Sequence, residues 1–325
     1  MVAAERRRSR LPNGASTSTS GRATGWRPAY PRWVFSTLTL ADGRTLEYVD
    51  LGDPDGTPTL FCHGTPGTAG TAAVIADEAR RHGVRLVGAS RPGYGSSTPA
   101  PPSLADTAAD LLELADRLGF ARFAVMGGSG GGPFALAVAA AAAGRVSLVA
   151  VHAGPGRYVD LGLEDLDETD RRAIELLAVG DVAGATELMT ASAETFFAPL
   201  RPLSDGDFAA EFQKTRPPGQ SWFDDHPELL RVFERDWHRG IATSDGFVRD
   251  NLSWLGDWDL DLASVTAPVR LVYGDDDGMV PLTHGEWLRG RLAGSDWHVV
   301  HGGHSDAMFG AAADTFAVIG SGDPG

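Results

Sequence analysis

Along 34–154 the apolar positions come in short runs separated by stretches of helical spacing. Residues 34–40 and 45–51 alternate as strands do, on either side of Asp42-Gly43, a dipeptide of tight hairpins. Residues 59–62 are a short apolar run that reads as a strand, and 84–89, 123–126 and 146–152 read as further strands. Between them lie helical windows at 71–82, at 104–118, where Leu111, Leu112, Leu114 and Leu118 follow helical spacing, and at the alanine-rich 131–143. Strand and helix in alternation predict an α/β fold with a mostly parallel central sheet covered on both faces.

The alternation stops near Gly154. Residues 155–254 contain helical windows at 170–177, 183–197 and 227–237 and no good strand. It resumes with a strand at 269–273, a helix at 282–292, a strand at 297–300 and a helix at 305–318. One α/β core, made of 34–154 and 255–325, is therefore expected, interrupted by a helical cap at 155–254. The Ser/Thr/Gly/Pro-rich residues 1–33 are expected to be a disordered basic tail.

With 325 residues, 42% of them apolar, the chain can bury a large core. Its net charge of −15 argues against a general nucleic-acid binder, which would show a basic face. Residues 1–34 carry seven arginines against Glu5, a net +6, so the negative charge belongs to the rest of the chain. The 155–254 segment holds 20 acids and 10 basic residues, a net −10. The single cysteine, Cys62, makes neither an internal disulfide nor a cysteine metal cluster. No apolar run approaches the ~20 residues of a membrane span. Residues 1–34 lack the apolar stretch of a secretory signal, so a cytoplasmic location is expected.

The candidate chemistry begins at Gly127-Gly128-Ser129-Gly130-Gly131, directly between a strand and a helix. A turn this sharp strains its central residue, needs small neighbours, and presents a hydroxyl at the positive end of a helix. The competing reading, a phosphate loop, lacks the Gly-Lys-Ser/Thr it would need. A serine nucleophile requires a base, and the base an orienting acid. Asp277 follows the 269–273 strand, with Asp275 as the fallback acid. His304 follows Gly302-Gly303, with His301 and His298 as competitors. All lie in loops after strands, where α/β sites form. After the first parallel strand comes Phe61-Cys62-His63-Gly64-Thr65-Pro66-Gly67. The backbone N–H groups of Thr65 and Gly130 are candidates to face a developing oxyanion. His63 is expected to hold the loop, and Cys62 to be a small buried residue.

These residues resemble the α/β-hydrolase fold family. Four motifs match in order: His63-Gly64-Thr65-Pro66-Gly67, Ser90-Arg91-Pro92-Gly93-Tyr94-Gly95-Ser96-Ser97, the Ser129 pentapeptide, and Gly274…Asp277 with Gly303-His304. The resemblance implies an α/β-hydrolase sandwich with an inserted cap, a Ser129/His304/Asp277 triad, oxyanion donors from Thr65 and Gly130, and neither cofactor nor metal. Ser129 argues against the branches that use an aspartate nucleophile, the epoxide hydrolases and haloalkane dehalogenases. The loop is similar to that of proline iminopeptidases, with Thr65 for a usual glycine and Gly130 for a usual tryptophan. Cofactor-free haloperoxidases and carbon–carbon bond hydrolases usually carry methionine at the latter position.

The insertion holds seven of the 14 Phe and three of the eight Trp. Such residues roof an apolar pocket or fill the insertion's own core. Phe196, Phe197, Trp222 and Trp237 are the substrate-binding candidates. The expected function is hydrolysis of a small, largely apolar ester, thioester or amide through an acyl-enzyme, with a small-molecule acyl substrate as the partner. Alternatives are aminopeptidase-like amide hydrolysis, with cap acids holding the amine, and acyl transfer, cyclisation or lyase chemistry on the same triad. A non-catalytic ligand receptor is a further alternative.

Overall fold

Eight strands make one sheet in the computed structural model, which describes residues 34–142, 144–163, 166–215 and 221–322. The basic tail expected at 1–33 lies outside them. The strands are β1 (Ser36–Thr39), β2 (Thr45–Gly52), β3 (Thr57–Cys62), β4 (Val84–Ser90), β5 (Phe123–Gly128), β6 (Val146–His152), β7 (Val269–Gly274) and β8 (Asp296–Val300). Their order is β1-β2-β4-β3-β5-β6-β7-β8. β1, β2 and β4 pair antiparallel, and every later pair is parallel. The β1–β2 hairpin turns at Gly43, whose φ of 90° suits glycine. β5 and β7 are buried throughout, while β4 and β6 each leave one polar residue, Arg85 and Ser147, partly exposed.

Helices cover both faces. On one lie α2 (Leu104–Arg117), α3 (Gly132–Ala141) and α11 (Leu282–Arg289), whose Leu111, Leu114, Phe134, Leu136 and Leu288 pack with Val125, Val149 and Leu271 of the sheet. On the other lie α1 (Ala76–Arg81) and α12 (Ala312–Ser321), where Ala79, Phe316 and Ile319 meet Phe61, Leu86 and Met126. Two predicted helices are subdivided. A 3-10 segment at Ala69–Val74 precedes α1, and a π turn at Asp306–Gly310 precedes α12. Ser103 caps α2 by accepting from Asp106 N–H at 2.9 Å.

Between β6 and β7 the described residues form only helices: α4 (Tyr158–Leu161), α5 (Glu168–Ala178), α6 (Val182–Phe197), α7 (Asp205–Thr215), α8 (Trp222–Asp225), α9 (Pro227–Gly240) and α10 (Asp245–Leu255). Of these, α5, α6, α7 and α10 share an apolar centre that includes Ile174, Met189, Phe197, Phe208, Val248 and Leu252, while Phe223 of α8 packs with the core. The sequence windows found α5, α6 and α9 and passed over α10. Its Arg249, Asp250, Asn251 and Ser253 are all buried, so α10 shows no clean apolar stripe. Among the described residues no helix is long and apolar enough to cross a membrane.

Candidate active site

Sheet order sets out the candidate residues in a row. The loops leaving the carboxyl ends of β4, β3, β5, β7 and β8 carry Arg91, Thr65, Ser129, Asp277 and His304 respectively. In open α/β sheets this edge is where ligands bind.

Ser129 opens the turn between β5 and α3 with φ of 51°, a left-handed conformation uncommon for a residue with a side chain. Its surroundings demand it. A Cβ on Gly127 would lie 2.4 Å from Gly131 O, and one on Gly131 would lie 2.1 Å from Cys62 O. Strand, turn and neighbouring strand are in contact there, so only glycine fits. Ser129 itself is half-buried and stands at the start of the 3-10 turn Ser129–Gly131 that leads into α3. First-turn N–H groups such as that of Gly130 have no preceding helical carbonyl to bond.

Three histidine–aspartate pairs lie in β8 or in the loops after β7 and β8, and burial separates them. His301 pairs with Asp275 at 3.0 Å, their side chains 98% and 43% exposed. His298 pairs with Asp296 at the surface at 2.6 Å. His304 Nδ1 meets Asp277 Oδ2 at 2.7 Å, with side chains 5% and 0% exposed. The other Asp277 oxygen accepts from Met279 and Val280 N–H at 2.8 and 2.9 Å. Burial works to raise the Asp277 carboxyl, but the His304 ring and these two amides hold it below the ordinary carboxylate range. An ionised Asp277 accepts the Nδ1 proton, which leaves Nε2 of His304 as the basic nitrogen. The turn after His304 is held from β6, where buried His152 bonds Ala307 O through Nδ1 at 2.9 Å. Burial lowers His152 to about 4, so it stays neutral.

The loop after β3 is held by buried polar contacts. His63 Nδ1–H donates to Gly64 O at 2.7 Å, and its Nε2 accepts from Arg91 N–H at 3.2 Å. Both ring nitrogens are engaged, and burial keeps His63 well below its usual value and neutral. Arg91 reaches the same loop, donating to His63 O at 2.5 Å, Gly64 O at 3.3 Å and Thr65 Oγ1 at 3.2 Å. Its charge is balanced by Asp250 of α10 at 2.5 Å, with the pair 1% and 0% exposed. Thr65 Oγ1–H donates to the same carboxylate at 2.8 Å. Cys62 is buried, and burial pushes its thiol up to about 12, which leaves it protonated. Among the described residues no three His, Cys, Asp or Glu side chains gather as metal ligands would.

The family model for the alpha/beta hydrolase fold matches residues 57–311. The chain belongs to this family. A 114-residue stretch is 37% identical to a non-heme chloroperoxidase of Streptomyces lividans, covering 34% of this chain and 41% of that protein. The chain thus matches about two fifths of that relative's length. In fold it is similar to an alpha/beta hydrolase fold protein from Nakamurella multipartita, with a TM-score of 0.61, 23% identity, and coverage of 89% of this chain and 99% of that one. It is also similar to the enol-lactonase from Burkholderia xenovorans LB400, with a TM-score of 0.62, 18% identity, and coverage of 87% and 98%. Identities this low carry the fold and not the activity.

Within the family, the two departures seen in the sequence are one steric fact. A Cβ on Gly130 would lie 2.6 Å from Thr65 Oγ1 and 2.9 Å from Thr65 Cβ. The threonine side chain occupies the space that a larger residue after Ser129 would take. The four aromatic candidates separate. Phe197 is buried in the helical insertion, edge-on to Trp237 at 5.8 Å and to Phe247 at 5.0 Å. Trp237 also faces Phe208 and Phe212, so both belong to the insertion's own centre. Trp222 lies against Phe309, 5.7 Å between ring centres, on the turn that follows His304. Phe196 is a correction. Adjacent positions on a helix point about 100° apart, Phe197 takes the inward direction, and Phe196 is left 69% exposed. Sequence reasoning gave Arg91 no role and missed Asp250. A charged pair at one loop and one unassigned helix left no periodic signal.

Proposed function

We propose that the chain is a serine hydrolase of small, largely apolar esters, thioesters or amides, acting through Ser129, His304 and Asp277. The observation that carries this is the buried Asp277–His304 pair on the same sheet edge as Ser129 with its φ of 51°. Ser129 Oγ attacks the acyl carbonyl while His304 Nε2 takes its proton. Asp277 holds the ring tautomer and stabilises the imidazolium. The carbonyl oxygen becomes an oxyanion, and the Thr65 and Gly130 N–H groups are its donors, each worth roughly 3 kcal/mol in the transition state. His304 then protonates the leaving group. Water, deprotonated by the same ring, releases the acid and restores Ser129. The insertion at 155–254 is the cap over this edge, with Trp222 as the aromatic candidate nearest the His304 turn.

A panel of activated esters, thioesters and amides of increasing acyl length tests the reading. Wild-type turnover of at least one class is expected, with Ser129→Ala lowering kcat by about 10⁴-fold or more. Full activity in that variant overturns the assignment. A second reading rests on the partial likeness to a non-heme chloroperoxidase. Halogenation of an activated methylene compound with hydrogen peroxide and chloride, assayed beside ester cleavage, separates the two. Ester turnover without halogenation favours the first.

A further inference from the structure

Asp250 lies in α10 of the helical insertion, yet it contacts the loop that would bind the oxyanion through Thr65, and also Arg91, which itself bonds that loop. Its carboxylate accepts from Arg91 Nε at 3.0 Å, from Arg91 Nη2 at 2.5 Å and from Thr65 Oγ1–H at 2.8 Å. We propose that Asp250 is a positioning residue for the oxyanion donor Thr65, so that seating of the α10 helix and competence of the oxyanion hole are a single event. This rests on the Ser129 reading given above.

The geometry follows from the planar peptide. Gly64 C=O and Thr65 N–H belong to one trans peptide unit, so they point to opposite sides. Gly64 O is held on one side by His63 Nδ1–H at 2.7 Å and Arg91 Nη2–H at 3.3 Å. The Thr65 N–H is thereby turned the other way. Thr65 N lies 3.5 Å from where a Cβ on Gly130 would be, next to the second candidate donor. Arg91 therefore fixes the direction of the donor, and Asp250 fixes Arg91. Asp250 also claims the Thr65 hydroxyl proton, which keeps the side chain from rotating and pulling its backbone with it. A guanidinium that is 1% exposed has no water to take the place of the carboxylate. The core thus supplies the donor while the insertion supplies the charge that aims it.

The test compares wild type, Asp250→Asn, Thr65→Val, Thr65→Ser and the uncharged pair Arg91→Met/Asp250→Leu. Thr65→Val keeps the backbone N–H and the shape but removes the O–H. The uncharged pair removes both members of the Arg91–Asp250 ion pair together, while buried Arg249, 3.9 Å from Asp250, keeps its donations to Ser103 O and Thr107 Oγ1. Thermal unfolding confirms that each variant is folded, and kcat and KM are measured on the best ester of the panel. Affinity for an arylboronic acid, which becomes tetrahedral on the serine, is measured beside affinity for the carboxylic acid product. The expected result is a kcat 10- to 100-fold lower in Asp250→Asn and in the uncharged pair, with KM within about twofold. Boronate affinity falls in parallel, product affinity does not, and Thr65→Ser recovers most of what Thr65→Val loses. Folded variants with wild-type kcat and boronate affinity overturn the proposal. Wild-type labelling by a fluorophosphonate is the control. If the wild type labels at Ser129 and the variants keep full kcat, this inference alone fails. If the wild type does not label, the Ser129 reading fails and this inference falls with it.

Discussion

The helical insertion is tied to the 63–71 loop of the core at two places, by two buried carboxylates in different electrostatic settings. Asp250 of α10 faces two buried arginines, Arg91 at 2.5 Å and Arg249 at 3.9 Å, and one hydroxyl. Asp236 of α9 faces neutral donors at hydrogen-bond distance. It accepts from Thr68 N–H at 2.9 Å, from Thr71 Oγ1–H at 2.6 Å and from the Thr68 hydroxyl. Burial raises Asp236 to about 6, with those three donors pulling the other way. Burial against neutral donors leaves the Asp236 carboxyl near its titration point. The attachment further along the loop therefore responds to pH. Arg239, one turn after Asp236, adds a second tie by pairing with buried Glu47 of β2 at 2.5 Å.

The comparison breaks most visibly if one charge is removed. Asp250→Leu leaves buried Arg91 without its carboxylate and takes the same partner from buried Arg249, and should cost about 3–5 kcal/mol in urea unfolding. Adding Arg91→Met should recover the Arg91 part of that loss. Asp236→Leu strands two hydroxyls and an amide but no charge, and should cost less, about 1–3 kcal/mol. Equal losses at the two sites would erase the distinction.

The pH dependence separates them next. The Asp236 carboxyl ionises near 3.8 when unfolded and near 6 when folded. Between those values the folded state holds a proton that the unfolded state has lost. Its contribution to stability is full below about 4 and falls away as pH rises through about 6, by on the order of 3 kcal/mol. Asp236→Asn should remove that slope, seen as the difference from wild type in unfolding across pH 4–7. Asp277 acts in the opposite sense. Its lowered folded value stabilises above the unfolded one, and that is lost only as pH drops through it, below this window.

A smaller effect is expected where Thr65 meets Gly130. Gly130→Ala places a methyl against Thr65 and should lower kcat about tenfold, or about 1.4 kcal/mol. In a Thr65→Gly background, which already lacks the hydroxyl, the same substitution should cost less than it does in the wild type. A cycle with no coupling would show that the 2.6 Å approach does not matter. Phe196→Ser, on neither attachment, should change stability by less than about 0.5 kcal/mol and leave activity as it was.

These contrasts also explain what was legible before the fold was known. Ser129, Asp277 and His304 stand out because tight strand-to-loop turns demand glycines and short motifs, and those survive as letters. The sheet follows from apolar runs at 59–62, 123–126 and 269–273. Asp250 could not be found this way. Its helix buries four consecutive or near-consecutive polar residues, and its partner Arg91 lies 159 positions away. The aromatic residues of the insertion were equally silent. Periodicity marks an inward face, but it does not say whether that face meets a ligand, as a roof would, or other side chains, as Phe197 and Trp237 do.

The central claim is that Ser129 is the nucleophile. Intact-mass analysis after fluorophosphonate treatment, with peptide mapping of the adduct, tests it directly. One adduct per chain on Ser129, none on Ser129→Ala, and slowed labelling in His304→Ala are predicted. An adduct on another residue, or equal labelling of Ser129→Ala, would contradict it.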